Sequence, residues 1–194
     1  MTMLRRRRLA AAALCLLAAA CSSADPKLYT IAAVSGATEH GTPKTVLVQQ
    51  VAIARYLDRT HIVRSSQDYR VDVMSNDWWS ETPGEMVSRV LAQELQERLP
   101  GTVVFRSNSP LTLTPDATVD VSIDQLDEDA AGQVVLRGLA GVTFKKHSEP
   151  VARPVRFSVT PPAAGTSGEV AAISTAVGQL ADTLALMLAQ GPRR

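Results

Sequence analysis

The sequence predicts an α+β domain in which a mostly antiparallel sheet carries two amphipathic helices packed on one face. Two stretches repeat apolar residues at three- and four-residue steps, the spacing of a helix that buries one side. Other stretches alternate apolar and polar residues, as half-buried strands do. Along the chain the order is strands, helix, strands, helix, and each apolar helix stripe needs a sheet face or another helix to cover it.

The part of the chain before the first helix predicts four strands and their turns. Residues 45–54 are β-branched and apolar, as in a largely buried strand, and Gly36, Gly41 and Pro43 mark a loop before them. The second arm of a predicted hairpin, 69–74, alternates clearly. In order, we expect a strand at 27–34, a loop at 35–44, a strand at 45–54, a turn at 55–59, and hairpin arms at 61–64 and 69–74.

The first helix has clear start and stop signals. Thr82 as N-cap, Pro83 at the first helical position and Glu85 three residues after Thr82 predict a capping box. Pro100 and Gly101 end the helix. Its apolar stripe consists of Met86, Val87, Val90, Leu91, Leu95 and Leu99.

The second half of the chain predicts further strands and the second helix. Val119, Val121 and Ile123 point to one face of a strand at 118–126, while the polar residues between them point to the other. Pro154 places the last strand at an edge or a bulge. The remaining expected strands are 102–105, 133–144 and 153–160. The expected helix has Thr166 and Glu169 as capping residues, the stripe Val170, Ile173, Val177, Leu180, Leu184 and Met187, and an end at Gly191–Pro192.

The N-terminus has the three parts of a secretory signal peptide. Four arginines, 5–8, precede an apolar segment, 9–20, and small residues stand before Cys21. Ala18-Ala19-Ala20-Cys21 resembles the lipobox of bacterial lipoproteins, which implies cleavage before Cys21 and lipidation of its thiol. Cys15 is a poorer candidate because bulky Leu14 precedes it. We expect a signal peptide at 1–20, a tether at 21–27 and one domain at 28–190.

Two alternatives to lipidation stay open at this point. An ordinary signal peptide cut nearby would leave Cys21 as a free thiol. A transmembrane anchor is disfavoured, because the apolar run is shorter than the roughly 20 residues that span a bilayer. In bacteria that sort as enterobacteria do, Ser22 after the cysteine is typical of outer-membrane lipoproteins.

Composition excludes several classes of protein. Without residues 1–20, which hold four arginines and no acid, 16 Lys and Arg face 19 Asp and Glu, a formal charge of −3. With no basic stripe, nucleic-acid binding is excluded. The mature chain has no cysteine besides Cys21, so a disulfide framework is excluded too.

No catalytic or cofactor motif stands out. His40, His61 and His147 lie in unlike contexts, and none has metal-site spacing. The acidic group 124–129 lacks the ligand spacing of an EF-hand, and we interpret it as a solvated hairpin tip. No Gly-x-Ser-x-Gly, P-loop or dinucleotide motif occurs, and we expect no cofactor and no metal. Of the two tryptophans, we expect Trp78 in the core and Trp79 nearer the surface.

Taken in order, these segments resemble one protein family. The lipobox, the segment 46–59 (VLVQQVAIARYLDR), Asp77-Trp78-Trp79 ahead of the first helix, and the terminal amphipathic helix are similar to the ABC-type transport auxiliary lipoproteins of the PqiC/YmbA family. Ser80-Glu81-Thr82 departs from the more apolar segment that is commoner there. The likeness extends over essentially the whole mature chain.

The resemblance implies a non-enzymatic, membrane-anchored lipoprotein of an intermembrane lipid-transport system, facing the periplasm from the outer membrane. Its implied partner is an MCE-domain periplasmic protein with its permease complex, and self-association into a homo-oligomer is a further option. For partner binding we expect exposed strand edges and the segment Asp77, Trp78, Trp79, Ser80 and Glu81.

Rival functions remain open from the sequence alone. An assembly lipoprotein of another envelope complex would share this α+β texture. A surface hydrolase is a second rival, because a Ser/His/Asp triad is recognised by geometry and not by sequence position. Direct phospholipid binding is a third.

Overall fold

A computed structural model describes residues 25–41, 43–65, 69–111, 113–146 and 149–192. The predicted signal peptide and Cys21 lie outside these residues, as does His147. The described elements are β1 (Lys27–Tyr29), β2 (Thr45–Val48), β3 (Ala52–Ile53), β4 (His61–Ser65), β5 (Val71–Trp79), α1 (Pro83–Arg98), β6 (Val103–Arg106), β7 (Ala117–Glu128), β8 (Val134–Phe144), β9 (Val151–Val159) and α2 (Thr166–Gln190).

The strands form two sheets. A small sheet has the order β1-β5-β4, and a large sheet has the order β6-β2-β7-β8-β9, with β3 also paired to β7. The long ladders of the large sheet, β7 with β8 and β8 with β9, are antiparallel, as is β4 with β5. The expectation of an edge position for the last strand is confirmed, because β9 lies at the end of the large sheet.

The expectation of a mostly antiparallel sheet needs correction, because both sheets are mixed. β1 pairs with β5, β2 pairs with β6 and β7, and β3 pairs with β7, all in parallel. Alternation along a strand shows which face is buried but carries no information on the direction of the neighbour. The long connection from β2 to β6 contains β3, β4, β5 and α1, and a connection of that kind permits parallel pairing.

The predicted strand 45–54 is divided into β2 and β3. Between them the backbone leaves the strand path: the Gln49 N–H donates to the Val119 carbonyl at 3.0 Å, and the Val51 N–H donates to the Ser88 hydroxyl on α1 at 2.8 Å. The first predicted strand is likewise shorter than expected, ending at Tyr29. Both differences follow from partners far along the chain, which local propensity does not contain.

Both helices pack on the large sheet and against each other. All residues of both predicted apolar stripes are buried, so the predicted helical faces are confirmed. The predicted capping box is wrong, because Thr82 caps α1 with no side-chain hydrogen bond. Glu85 instead accepts a hydrogen bond from Asn108 at 3.0 Å and lies 3.6 Å from Arg106, both beyond the helix.

The start of α2 also differs from its prediction. Gly165, with φ 85°, is the N-cap, and neither Thr166 nor Glu169 caps the helix; both bind the small sheet instead. By length and composition α2 would be able to cross a membrane. Most of it is buried against α1 and the large sheet, as in the core helix of a globular domain.

A glycine pair on β8 tests the close approach of β7. A Cβ on Gly138 would lie 2.0 Å from the Ser122 carbonyl oxygen, beside the irregular register at Ile123, whereas a Cβ on Gly141 would meet nothing closer than 3.5 Å. We expect Gly138→Ala to lower the free energy of unfolding by at least about 2 kcal/mol, because backbone must move. Gly141→Ala is the matched control, with a change below about 1 kcal/mol. Urea denaturation measures both, and equal effects would contradict the described β7–β8 register.

Candidate functional site

The candidate site is the region around β1, where the predicted tether would enter the domain. β1 begins at Lys27, only six positions after Cys21, and pairs in parallel with the last three residues of β5. The backbone N–H of Ser80 adds a hydrogen bond of 2.8 Å to the Tyr29 carbonyl. Since β1 is an edge strand of the small sheet, its other edge has no strand beside it among the described residues.

The two tryptophans occupy the reverse of their expected positions. Trp79 is only 8 % exposed and packs in the core with Tyr29 beside it, whereas Trp78 is half-buried on the opposite face. The expectation of Trp78 in the core is therefore wrong. Neighbouring residues of a strand point to opposite faces, and a dipeptide does not show which of its members faces inward.

Trp78 belongs to a row of three side chains across the small sheet. It is the register partner of Leu28 on β1 and of His61 on β4, so all three lie on one face. The Trp78 and His61 rings are 4.9 Å apart between centroids. The indole N–H donates to the Ser75 carbonyl at 3.1 Å, which satisfies its polar atom within the protein. We call Leu28, Trp78 and His61 the outer row.

A polar joint fastens the small sheet to the start of α2. Asp77 accepts hydrogen bonds from the hydroxyl of Thr166 and, at 3.4 Å, from that of Tyr29. Arg64 on β4 donates to Glu169 at 2.7 Å and to Thr166 at 3.3 Å. The joint, made of Tyr29, Arg64, Asp77, Thr166 and Glu169, therefore connects three strands of the small sheet to α2.

The charges of the joint are largely withdrawn from water. Glu169 is fully buried, and burial raises the pKa of its carboxyl while Arg64 opposes that rise. One Glu169 oxygen, Oε1, has no hydrogen-bond partner among the described residues. Glu128, on β7, lies 3.4 Å from the same guanidinium. Removing Arg64 leaves the buried Glu169 carboxyl without its ion-pair partner, so the joint is costly to open.

The acidic stretch 124–129 is only partly the solvated hairpin tip that the sequence predicts. Asp127 is fully buried, accepting hydrogen bonds from Ser65 at 2.5 Å and Gln125 at 3.1 Å. Burial raises the pKa of the Asp127 carboxyl. The prediction fails there because the residues that cover Asp127 come from β4 and from the turn before it, far away in sequence.

The residues of the predicted partner-binding segment, Asp77–Glu81, differ in burial and in hydrogen bonding. Trp79 lies in the core and Asp77 in the joint. Glu81 holds Arg89 on α1, which also donates to Thr30 at 3.2 Å. Trp78 and Ser80 remain as the two side chains with their outer surfaces toward solvent. Partner binding by this segment stays a prediction, and these two side chains are its accessible part.

A second set of contacts fastens the chain that follows β1. Residues 30–41 contain no helix or strand and lie across α1 and α2, and we call them the strap. The backbone N–H groups of Ala32, Val34 and Glu39 donate to the Ser174 hydroxyl at 3.2 Å, the Glu94 carboxylate at 2.8 Å and the Arg98 carbonyl at 2.7 Å. Both helices therefore hold the strap.

Buried charges support the strap from below. Arg98 is 1 % exposed and donates to Asp182 at 2.6 Å and to the Gly178 carbonyl at 3.2 Å, which joins the two helices. Gly36 passes so close that a Cβ there would lie 2.4 Å from the Arg98 guanidinium. Desolvation raises the pKa of fully buried Glu94 to about 7, and its Oε2 lacks a hydrogen-bond partner among the described residues.

The sequence did not predict the strap or the joint; Asp77 is predicted only for partner binding, and Thr166 and Glu169 only as helix caps. Glu94 and Arg98 stand one turn apart inside the α1 stripe, where charged residues are unusual. Two charged residues within an apolar stripe were the feature of the sequence that indicates a buried polar contact. The described residues contain no group of three His, Cys, Asp or Glu side chains able to hold a metal ion. The joint fixes the position of β1, and the strap holds the following residues against both helices.

Comparisons with known proteins complete the description. The sequence profile of a family described as the ABC-type transport auxiliary lipoprotein component matches residues 29–185. No curated protein matches. The crystal structure of an uncharacterized protein aligns with a TM-score of 0.71 at 20 % identity, covering 84 % of this chain and 98 % of that one. A Xanthomonas campestris protein of the DUF330 family aligns with a TM-score of 0.68 at 15 % identity, covering 82 % and 92 %. At these identities the likeness to the solved structures concerns the fold.

The pKa of Glu94 predicts a particular dependence of stability on pH. Its unfolded-state pKa is near 4.5 and its folded pKa about 7, so the folded protein holds this proton more tightly. Stability therefore falls as pH rises from about 4.5 to about 7, by at most about 3 kcal/mol from this group. Glu94→Gln removes this contribution, and its stability relative to the wild type should rise across that interval.

Denaturant unfolding at several pH values between 4.5 and 8 measures the difference. Glu149→Gln, at an exposed position before β9, is the matched control and should follow the wild type. Parallel curves for the wild type and Glu94→Gln would show that Glu94 has an ordinary pKa in the folded protein.

Proposed function

Since the chain belongs to the ABC-type transport auxiliary lipoprotein family, as its sequence resemblance predicted, we propose that it is a non-catalytic, lipid-anchored docking component of an intermembrane lipid-transport system. In this proposal Cys21 is lipidated after removal of residues 1–20, and the domain faces the periplasm from the outer membrane. It attaches there the periplasmic conduit of an MCE-domain protein and its permease complex. No cofactor takes part.

The observation that carries the proposal is the short path from the anchor to the fold. The family match begins at residue 29, inside β1, and the chain from Cys21 to Lys27 reaches at most about 20–25 Å. An anchored domain with so short a tether stays beside its membrane. The joint and the strap support this role, because they fix the point at which the tether enters.

We propose that the conduit protein contacts the segment Asp77–Glu81 and the open edge of β1. A strand edge can pair with an extended segment of another chain, and Ser80 is exposed at the end of β5, on the other side of β1. Trp79 supports this surface from the core and Asp77 from the joint. Self-association of the domain is compatible with the same proposal.

Loss of the lipid anchor tests the first part of the proposal. We expect Cys21→Ser to fold normally but to leave the membrane fraction and to lose the envelope function. A version exported with an ordinary cleavable signal peptide should behave in the same way, and Cys15→Ser should match the wild type. Detergent-phase partitioning, membrane fractionation and complementation of a deletion strain are the measurements. A soluble protein that complements fully would refute the role of anchoring.

Photo-crosslinking tests the proposed partner. A photoreactive residue at Ser80 should yield an adduct with an MCE-domain protein in the native cell, and that protein and permease subunits should co-purify. The control position is Ser158, exposed on edge strand β9, where no such adduct is expected. Repeated absence of MCE and permease proteins from both experiments, with the lipoprotein correctly anchored, would favour an assembly role in another envelope complex.

A further inference from the structure

Exposed apolar side chains are concentrated on the small sheet. Among the described residues, nine large hydrophobic side chains are exposed. Four of them, Leu28, Tyr69, Val71 and Val73, belong to the small sheet or to the turn that enters β5. The most exposed strand residue of these is Leu28, at 65 %, and it is part of the outer row. The small sheet therefore presents to solvent more apolar surface than its size predicts.

The outer row has the composition of a membrane-interface contact. Leu28 contributes an aliphatic side chain, and Trp78 contributes an aromatic ring whose N–H is already bonded to Ser75. Tryptophan is the residue most typical of the headgroup level of a bilayer, where one end of the ring is apolar and the other polar. Leu28 and Trp78 are register partners, so the aliphatic and the aromatic side chain lie side by side on one face of the small sheet.

The short distance along the chain between Cys21 and β1 indicates that the outer row contacts the bilayer. Leu28 lies seven positions after Cys21, so it is held within about 25 Å of the lipidated residue. A domain of this length is roughly 40 Å across, so the tether allows only the side that carries β1 to reach the membrane. The outer row lies on that side, because it includes Leu28 of β1, which is 65 % exposed.

We propose that the outer row, Leu28, Trp78 and His61, rests on the lipid headgroups of the bilayer that holds the anchor and sets the orientation of the domain. The inference depends on the lipid anchor of the proposed function. Within the segment Asp77–Glu81 it assigns the Trp78 ring to lipid, and it leaves the rest of the segment and the edge of β1 to the protein partner. A covalent lipid and a second, weaker contact together give a fixed orientation that a flexible tether alone does not.

Tryptophan fluorescence of the full-length lipidated protein tests the proposal. The chain has two tryptophans, so the wild type and Trp78→Phe differ by one emitter, and buried Trp79 stays intact in both. Both proteins are reconstituted into vesicles of phosphatidylethanolamine and phosphatidylglycerol, with and without bromine on the upper acyl carbons. We expect the brominated lipids to reduce the emission of the wild type and to leave that of Trp78→Phe unchanged.

A negative charge introduced into the outer row provides a second test of the proposal. Leu28→Glu should abolish the quenching by brominated lipid, because a carboxylate at this position disfavours contact with the bilayer. Leu139→Glu is the matched control, since Leu139 is 48 % exposed on the large sheet, and it should retain the quenching. Equal quenching in both variants would overturn the assignment of the row.

The outcomes separate this inference from the proposed function. If mass spectrometry finds lipid on Cys21 and Trp78 is not quenched, the inference is wrong and the anchor stands. If Cys21 carries no lipid, the proposed anchor fails and this inference fails with it. Protection of Trp78 from acrylamide only after addition of an MCE-domain protein would identify the row as a protein contact and overturn the proposal.

Discussion

The joint between the small sheet and α2 is the constraint on which the geometry of the site depends. The small sheet shares no strand with the large one, and its position is set by Arg64 bonded to Glu169 and Asp77 bonded to Thr166. Glu169 is fully buried, so water cannot take the place of Arg64 beside its carboxyl group. Loss of this ion pair therefore carries a large desolvation penalty. The same joint holds β1 through Tyr29 and so fixes the place where the predicted tether ends.

The strap continues that constraint onto the helices. Three of its backbone N–H groups donate to Ser174, Glu94 and the Arg98 carbonyl, so the strap is bonded to both helices. A carboxyl whose pKa is raised to about 7 in the folded protein lowers stability at neutral pH, yet here it binds the Val34 N–H. The fold therefore accepts a cost at Glu94 in exchange for a fixed path of the chain across α1 and α2.

The sequence predicted the elements that local periodicity defines. The α1 and α2 stripes and the alternation of β7 were confirmed because each depends only on spacing within one element. Three predictions failed because they depended on neighbours distant in sequence. They concerned the direction of the strands, which of Trp78 and Trp79 faces the core, and the burial of Asp127. The predicted caps of both helices failed for the same reason. The side chains of Glu85, Thr166 and Glu169 bind residues outside their own helices, and Thr82 makes no side-chain cap hydrogen bond.

The order of contacts along the chain has a mechanical consequence for an anchored domain. A displacement of the tether first loads the short parallel pairing of β1 with β5 and the bond from Ser80 to Tyr29. It next loads the three strap bonds, which lie on both helices. Because α1 and α2 are also joined through Arg98, Asp182 and Gly178, the load reaches the whole core and not one strand. If Cys21 carries the proposed lipid, these contacts join the anchored end of the chain to the core of the domain, as the proposed docking role requires.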